Sequence, residues 1–160
     1  MAEYVTFGEI MLRLKAPGRE RLLQSPGFEA TFGGAEANVA VSLAKFGLDS
    51  AFVSALPDND IGDAAIRALR SFGVDTSHVR RSGKRVGLYY LEAGAGPRPA
   101  NVIYDRAGSS IAEAQSGDFD WPAIFEGAEW FHVTGITPAL SESAAASSLE
   151  AVAAAKRAGA

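Results

Sequence analysis

The chain has 160 residues, of which 48% are hydrophobic and 21% are charged, and its formal net charge is −4. This composition is ordinary for a folded globular protein, and the negative balance argues against nucleic-acid binding, which usually needs a basic surface. Cysteine is absent, which excludes disulfides, thiolate metal sites and cysteine nucleophiles. No apolar run approaches the roughly 20 residues of a membrane-spanning helix, so we expect a cytoplasmic protein with no membrane partner.

Three short β-rich runs open the chain: residues 4–7, 11–14 and 28–32. Residues 35–46 then form a strongly helical run that follows Gly33-Gly34 directly. This run is apolar nearly all round, which predicts burial on more than one side. Gly47 followed by the apolar Leu48 predicts a Schellman end for the helix.

The same alternation of strand and helix then repeats. Residues 51–56 read as a strand, and Asp60 is a suitable N-cap for a helix over residues 61–72. The helix ends match as well, since Phe46-Gly47-Leu48-Asp49 is echoed by Phe72-Gly73-Val74-Asp75. Helices closed in this way between short apolar strands predict βαβ units around a parallel sheet.

The second half of the chain begins with a different pattern. Residues 80–85 are basic and read as a solvated linker. The later predicted elements are a hairpin of residues 86–92 and 101–105, a short helical stretch over 118–127, a strand over 130–133 and a helix over 142–158 that Ser141 caps and Gly159 ends. A crossover helix should lead to another parallel strand, so we expect these 160 residues to be part of a longer protein.

Two groups of residues could carry chemistry. Gly33-Gly34 opens a helix directly after a strand, so backbone N–H groups could hold a hydroxyl-rich or anionic ligand with help from Asn38. The alternative is that the glycines only make a tight turn. The lysine and serine or threonine of a phosphate-binding P-loop are missing.

The second group lies on the predicted hairpin. Tyr104 and Arg106 share one face of a strand, and Tyr89 joins them if the register permits. Two phenols and a guanidinium suit a polyhydroxylated acid, since arginine can bind a carboxylate through two hydrogen bonds. The alternative is ordinary sheet packing with a solvated arginine.

Three segments resemble the ribokinase (PfkB) family of carbohydrate kinases: residues 6–14 (TFGEIMLRL), 32–40 (FGGAEANVA) and 56–63 (LPDNDIGD). The second is similar to the family signature in which G-G-x-x-x-N-x-A precedes a helix. Gly87-Leu88-Tyr89, residues 103–106 and residues 134–140 further resemble the 2-keto-3-deoxygluconate kinases within that family.

The resemblance implies a three-layer α/β/α fold with a mostly parallel sheet and a small β lid. Residues 1–160 are then the N-terminal part of one sugar-kinase domain, with lid segments at about 11–32 and 86–106 through which related enzymes dimerise. The implied reaction is ATP-dependent phosphorylation of the sugar acid to its 6-phosphate, with Mg²⁺. The implied substrate-binding residues are Gly34, Asn38, Tyr89, Tyr104, Arg106 and Ile136.

The same resemblance places the catalytic aspartate and the nucleotide-binding loops beyond residue 160. We therefore expect no catalytic residue and no metal ligand in this chain, and no activity from it in isolation. Two alternatives stay open, a fructokinase-like kinase of a neutral sugar and a non-catalytic protein that binds a sugar acid. Many neutral-sugar kinases carry an aspartate where Arg13 stands here, which favours an acidic substrate.

Overall fold

The computed structural model describes residues 2–160. In that range the chain forms eight strands and five helices, which in chain order are β1 (Tyr4–Phe7), β2 (Met11–Lys15), β3 (Glu29–Gly33), α1 (Ala35–Lys45), β4 (Ser50–Leu56), α2 (Asp60–Arg70), β5 (Val79–Arg81), β6 (Gly87–Glu92), β7 (Asn101–Asp105), α3 (Ser110–Glu113), α4 (Trp121–Ile124), β8 (Trp130–His132) and α5 (Glu142–Ala158). A bilayer could not be spanned by any helix that these residues form.

The first sheet is parallel throughout and has the strand order β5-β4-β1-β8. The first strand of the chain lies inside this sheet, because Val5 pairs in register with Ala51 of β4 on one side and with Phe131 of β8 on the other. All seven residues of β4 are buried. Strands buried on both faces are typical of α/β proteins whose sheet is covered by helices on both sides.

Two separate hydrophobic cores lie on the two faces of this sheet. One contains Phe52 and Leu56 of β4, together with Ala40 of α1 and Leu69 of α2. The other contains the alternate β4 residue Val53 and side chains from the α3, α4 and α5 region, among them Ile111, Phe119, Trp121, Phe125 and Ala151. Successive side chains of a strand point to opposite faces, so β4 supplies both cores. The predicted three-layer arrangement around a mostly parallel sheet is confirmed.

The C-terminal end of α1 follows its local sequence signal. Gly47 has a φ of 82°, and the N–H groups of Gly47 and Leu48 donate to the carbonyls of Ala44 and Leu43, which is the predicted Schellman end. The predicted burial of this helix on more than one side was wrong. Its buried residues lie near its start, and Phe46, directly after its end, is 82% exposed.

The N-caps of the other two long helices lie at, or one residue from, the positions that the sequence predicts. The N-cap of α2 is Asn59, whose side chain accepts hydrogen bonds from two N–H groups of the first turn, so the prediction of Asp60 was wrong by one residue. For α5 the prediction is confirmed, since the Ser141 side chain accepts from the N–H of Ala144 and Gly159 takes a left-handed conformation at the end.

The second sheet has the order β3-β2-β6-β7 and is antiparallel except between β2 and β6. Tyr89 of β6 and Tyr104 of β7 are paired directly across the hairpin. The predicted hairpin is therefore confirmed, with the register that brings both phenols to one face.

Residues 80–85 are more ordered than the linker that was predicted for them. Strand β5 includes Arg81, which pairs with Asp63 at 2.7 Å. Arg85, where the chain enters the second sheet, pairs with Asp105, the last residue of β7, at 2.9 Å. The basic side chains thus pair with carboxylates from neighbouring elements, and Arg85 joins the two ends of the hairpin.

Candidate functional site

A cavity of about 260 Å³ lies where the second sheet meets the N-terminus of α1. All six predicted site residues line it: Gly34, Asn38, Tyr89, Tyr104, Arg106 and Ile136. The rest of the lining consists of Glu9, Met11, Gly33, Ala35, Glu36 and Val102. These residues come from distant parts of the chain, so the folded arrangement of both sheets creates the cavity.

The two glycines between β3 and α1 have different surroundings. A Cβ added to Gly34 would overlap the carbonyl oxygen of Glu9 and lie 3.2 Å from the Cα of Ile10. A Cβ added to Gly33 would instead lie 3.3 Å from the hydroxyl of Tyr89, within the cavity. Close backbone packing therefore explains the glycine at position 34, and the glycine at position 33 leaves space beside a cavity side chain.

The start of α1 faces the cavity. Gly34 is its N-cap and is extended, with a φ of −174°, and no side chain caps the helix there. The first N–H groups of a helix lack partners within it and carry a partial positive charge. Asn38 adds a side-chain amide one turn later. This end of the cavity can therefore donate hydrogen bonds to an anionic or hydroxylated ligand.

An aromatic and cationic surface forms another part of the lining. The rings of Tyr89 and Tyr104 have centroids 5.8 Å apart, with planes inclined by 36°. The guanidinium carbon of Arg106 lies 5.5 Å from the centre of the Tyr104 ring. Tyr104 is 58% exposed, so part of this surface is open to solvent and to a ligand.

Glu9 lines the cavity, and the sequence analysis missed it. Its Oε2 accepts a hydrogen bond from Nε of Arg106 at 2.7 Å and also contacts Nη2, and its Oε1 accepts from the hydroxyl of Ser109 at 2.7 Å. Burial raises the pKa of Glu9 above its usual value, although the Ser109 hydrogen bond and the Arg106 charge oppose that shift. Arg106 is thus held by one edge of its guanidinium.

Glu36 is a second buried carboxylate that the sequence analysis missed. Its Oε1 accepts from the N–H of Thr134 at 3.0 Å and from the hydroxyls of Thr134 and Thr137 at 2.6 and 2.8 Å. These bonds tie the segment that contains Ile136 to the start of α1. A glutamate in a first helical turn is a common stabilising choice, so its position in the sequence carried no functional signal.

The charges of the cavity are unequal. Arg106 is the one cationic side chain in the lining, whereas Glu9 and Glu36 both contribute carboxylates. In residues 2–160 there is no group of three or more histidine, aspartate and glutamate side chains that could hold a metal ion. Besides these charged groups, the lining offers the phenols of Tyr89 and Tyr104, the Asn38 amide and the start of α1, which can bind and orient an organic ligand that carries hydroxyls.

Comparison with known proteins places this architecture in a family. Residues 1–160 match the model of the pfkB family of carbohydrate kinases. A 2-dehydro-3-deoxygalactonokinase from Haloferax volcanii is 43% identical over 141 residues, which are 88% of this chain and 44% of that protein. A 2-dehydro-3-deoxygluconokinase from Thermoproteus tenax is 32% identical over 148 residues, which are 90% of this chain and 45% of that protein.

A solved structure agrees with these relatives. The crystal structure of a 2-dehydro-3-deoxygluconokinase from Thermotoga maritima matches 99% of this chain and 49% of its own, with a TM-score of 0.96 and 51% identity. The chain thus spans about half the length of the relatives it matches. The match to the family model over residues 1–160, together with the shared ribokinase-like fold, shows that the chain belongs to the pfkB family of carbohydrate kinases.

Proposed function

We propose that this chain is the sugar-binding part of a kinase that transfers the γ-phosphoryl group of ATP to 2-keto-3-deoxygluconate and forms the 6-phosphate. The observation that carries the proposal is the convergence of Arg106, Tyr89 and Tyr104 on one cavity at the start of α1. The names of the relatives support the same substrate class, because 2-dehydro-3-deoxygluconate is another name for this sugar acid.

The carboxylate of the sugar acid binds Arg106 in this proposal. Glu9 occupies the Nε/Nη2 edge of the guanidinium, and the Nη1/Nη2 edge has the geometry to take a carboxylate through two hydrogen bonds. The rings of Tyr89 and Tyr104 lie against the carbon chain, and their hydroxyls bond to sugar hydroxyls. Ile136 supplies an apolar contact for the methylene group that distinguishes a 3-deoxy sugar.

The start of α1 holds the other polar groups of the sugar. The backbone at Gly34 comes close to the ligand, and Asn38 both donates and accepts hydrogen bonds. We assign these residues to binding and orientation alone. Correct positioning of the acceptor hydroxyl is a large part of phosphoryl transfer, because that chemistry depends mainly on geometry and charge stabilisation.

ATP and Mg²⁺ belong, in this proposal, to a part of the complete protein outside these 160 residues. The described residues do not fit Mg²⁺, because the two carboxylates in the cavity are already engaged by Arg106, Ser109 and the threonines near Ile136. The catalytic aspartate is expected beyond residue 160 as well. In this proposal the 160 residues supply the position of the sugar and not the catalytic aspartate.

We further propose that residues 1–160 are the N-terminal part of one domain and that the second sheet, with segments at about 11–32 and 86–106, is its lid. Ile103 alternates on β7 with the cavity residues Val102 and Tyr104, so it faces the other side of the sheet, and it is 49% exposed. An exposed apolar residue on that side supports our proposal of a homodimer formed through the lid; we further propose that the protein is cytoplasmic. Light scattering on the complete protein should give a dimer, and Ile103→Lys should shift it toward monomer.

A substrate panel on the complete protein with ATP and Mg²⁺ tests the proposed reaction. We expect turnover of 2-keto-3-deoxygluconate, with kcat/KM for fructose lower by at least about 100-fold, which corresponds to roughly 2.7 kcal/mol of transition-state binding. The galactonate epimer belongs in the panel because of the Haloferax relative. Preference for fructose would establish the fructokinase-like alternative, and binding of the acid without turnover would establish the non-catalytic one.

A further inference from the structure

Glu9 is a buried carboxylate that lies beside Arg106, the residue that binds the ligand carboxylate in the proposed function. Its exposed fraction is 3%, and it shares the cavity with Arg106, the one cation of the lining. Arg106 is therefore already neutralised before any ligand arrives. A ligand carboxylate that binds the other edge of Arg106 places two carboxylates on one guanidinium, with the inner one shielded from water.

Two carboxylates that share one cation favour protonation of one of them. Like charges within about 4–6 Å raise a carboxyl pKa, and burial acts in the same direction. The ligand carboxylate faces solvent on entry, whereas Glu9 lies behind Arg106 in the interior. Glu9 is therefore the carboxylate on which a proton is most stable.

The hydrogen bonds of Glu9 suit both of its protonation states. Oε2 accepts from Arg106, and Oε1 accepts from the hydroxyl of Ser109, which is 1% exposed. A hydroxyl can donate or accept by rotating about its C–O bond. When Oε1 carries a proton, it can donate to the Ser109 oxygen while Oε2 still accepts from Arg106, so both oxygens of Glu9 keep a hydrogen bond.

We propose that Glu9 takes up one proton from solvent, on Oε1, when the carboxylate of an acidic ligand binds Arg106. The inference rests on the proposed function, because it requires a carboxylate on the ligand. It makes Glu9 a residue that determines specificity, because the proton lets Arg106 bind the ligand carboxylate without a second cation.

The charged groups around Glu9 agree with this assignment. Burial raises the pKa of Glu9 already in the empty cavity, Glu36 from α1 adds to that rise, and Ser109 and Arg106 reduce it. The hydrogen bond to Asp105 is the largest cause that raises the pKa of Arg85, where the chain enters β6, and the Glu9 charge is the last of these causes, so Arg85 compensates Glu9 only weakly. When a ligand carboxylate also binds Arg106, the positive charge of Arg106 offsets the Glu9 charge less. Burial and the Glu36 charge, which favour protonated Glu9, then have more influence.

Calorimetry on the complete protein tests the proposal without any need for turnover. Binding of 2-keto-3-deoxygluconate is measured at one pH in two buffers of different ionisation enthalpy, with ATP absent, and the difference in heat gives the protons taken up per ligand. We expect uptake of a substantial fraction of one proton at a pH between the pKa values of free and ligand-bound Glu9. Across that interval the apparent Kd should rise with pH by up to about tenfold per unit.

Matched variants and ligands locate the proton. Glu9→Gln should reduce the uptake nearly to zero, whereas Glu150→Gln, which changes a hydrogen-bonded carboxylate that does not line the cavity, should retain it. The carboxamide analogue of the sugar acid carries no charge and should bind the parent protein without proton uptake. This last comparison needs no variant, so it tests the proposal even if Glu9→Gln does not fold.

Each outcome is decisive. Tight binding of the acid with no proton uptake would overturn the proposal and leave the proposed function intact. A cation from outside this chain that compensates the ligand would produce this result. Unchanged uptake in Glu9→Gln, or equal uptake with the carboxamide, would also overturn it. Failure of the parent protein to bind the acid at all would refute the proposed function, and this inference with it.

Discussion

Replacing the two neighbouring glycines at the start of α1 one at a time should separate packing from sugar binding. In Gly34→Ala the new Cβ overlaps the carbonyl oxygen of Glu9 and comes within 3.2 Å of the Cα of Ile10. Both obstacles are backbone atoms, so the chain itself must move. The conformation at Gly34 is extended, so alanine is not excluded by its φ, and the whole penalty is steric.

The two penalties can be estimated from these contacts. Overpacking a well-filled site costs about 1–3 kcal/mol, and a clash with backbone belongs at the upper end, so we expect Gly34→Ala to lose about 3 kcal/mol. Gly33→Ala meets only the end of the Tyr89 side chain, at 3.3 Å, and should lose less than about 1 kcal/mol. The first loss corresponds to a fall in Tm of several degrees, at about 2–4 °C per kcal/mol in proteins of 150–250 residues.

The assays are urea unfolding and steady-state kinetics of the complete protein. Gly33→Ala should raise KM for the sugar acid about fivefold or more, because its methyl group takes up cavity space, and should leave KM for ATP unchanged. Gly34→Ala should lower the urea midpoint far more. Equal stability of Gly34→Ala and the parent would refute the packing argument, and a larger stability loss in Gly33→Ala would reverse the assignment.

Three further predictions concern Arg106, the isolated 160-residue chain and Glu150. Arg106→Ala should reduce kcat/KM for the sugar acid about 10- to 150-fold, which corresponds to the roughly 1.5–3 kcal/mol of a charge-assisted hydrogen bond. Arg106→Lys should recover part of this loss, and an equal loss for the carboxamide analogue would contradict contact with the carboxylate. The isolated 160-residue chain should phosphorylate nothing, and turnover by the pure chain would refute our placement of the catalytic aspartate. Hydrogen bonds from the Gly117 N–H, Trp121 and Ser116 hold the pKa of Glu150 below its usual value, despite partial burial. A carboxyl whose pKa is lower in the folded state stabilises the protein at pH values above its unfolded-state pKa. Glu150→Gln should therefore lower the free energy of unfolding by about 1 kcal/mol at pH 7. In urea unfolding, this difference between variant and parent should vanish as pH falls through the folded-state pKa of Glu150.

Local signals carried most of the fold prediction. The capping serine of α5, the left-handed Gly47 and Gly159 and the hairpin itself follow from interactions between residues close in sequence, whereas the hairpin register was left open. Strand β5 and helix α3 were missed, and they have only three and four residues. Such short elements depend on neighbours that are remote in sequence, so their own residues give little indication of them.

The candidate site could be predicted only in part, for a similar reason. Simple spacing grouped Tyr104 and Arg106 on one strand face, whereas Tyr89 depended on a register that the sequence left open, and its place in the site was implied by the family resemblance. Glu9 and Glu36 were not found, because charged residues are usually exposed. Their partners lie 97 and 98 residues away, at Arg106 and Thr134, and no local pattern connects such pairs.

Two glycines give the two buried carboxylates their space, and this arrangement constrains any change at Arg106. A Cβ on Gly8 would overlap the carboxylate of Glu36, and a Cβ on Gly87 would overlap that of Glu9. A carboxylate buried so closely is stable only with its hydrogen bonds and its cation in place. Loss of Arg106 alone therefore leaves the Glu9 charge buried without that cation and should weaken the junction of the two sheets as well as sugar binding. A variant of this cavity that dispenses with Arg106 consequently requires a change at Glu9 as well, because Glu9 would otherwise stay buried without its cation.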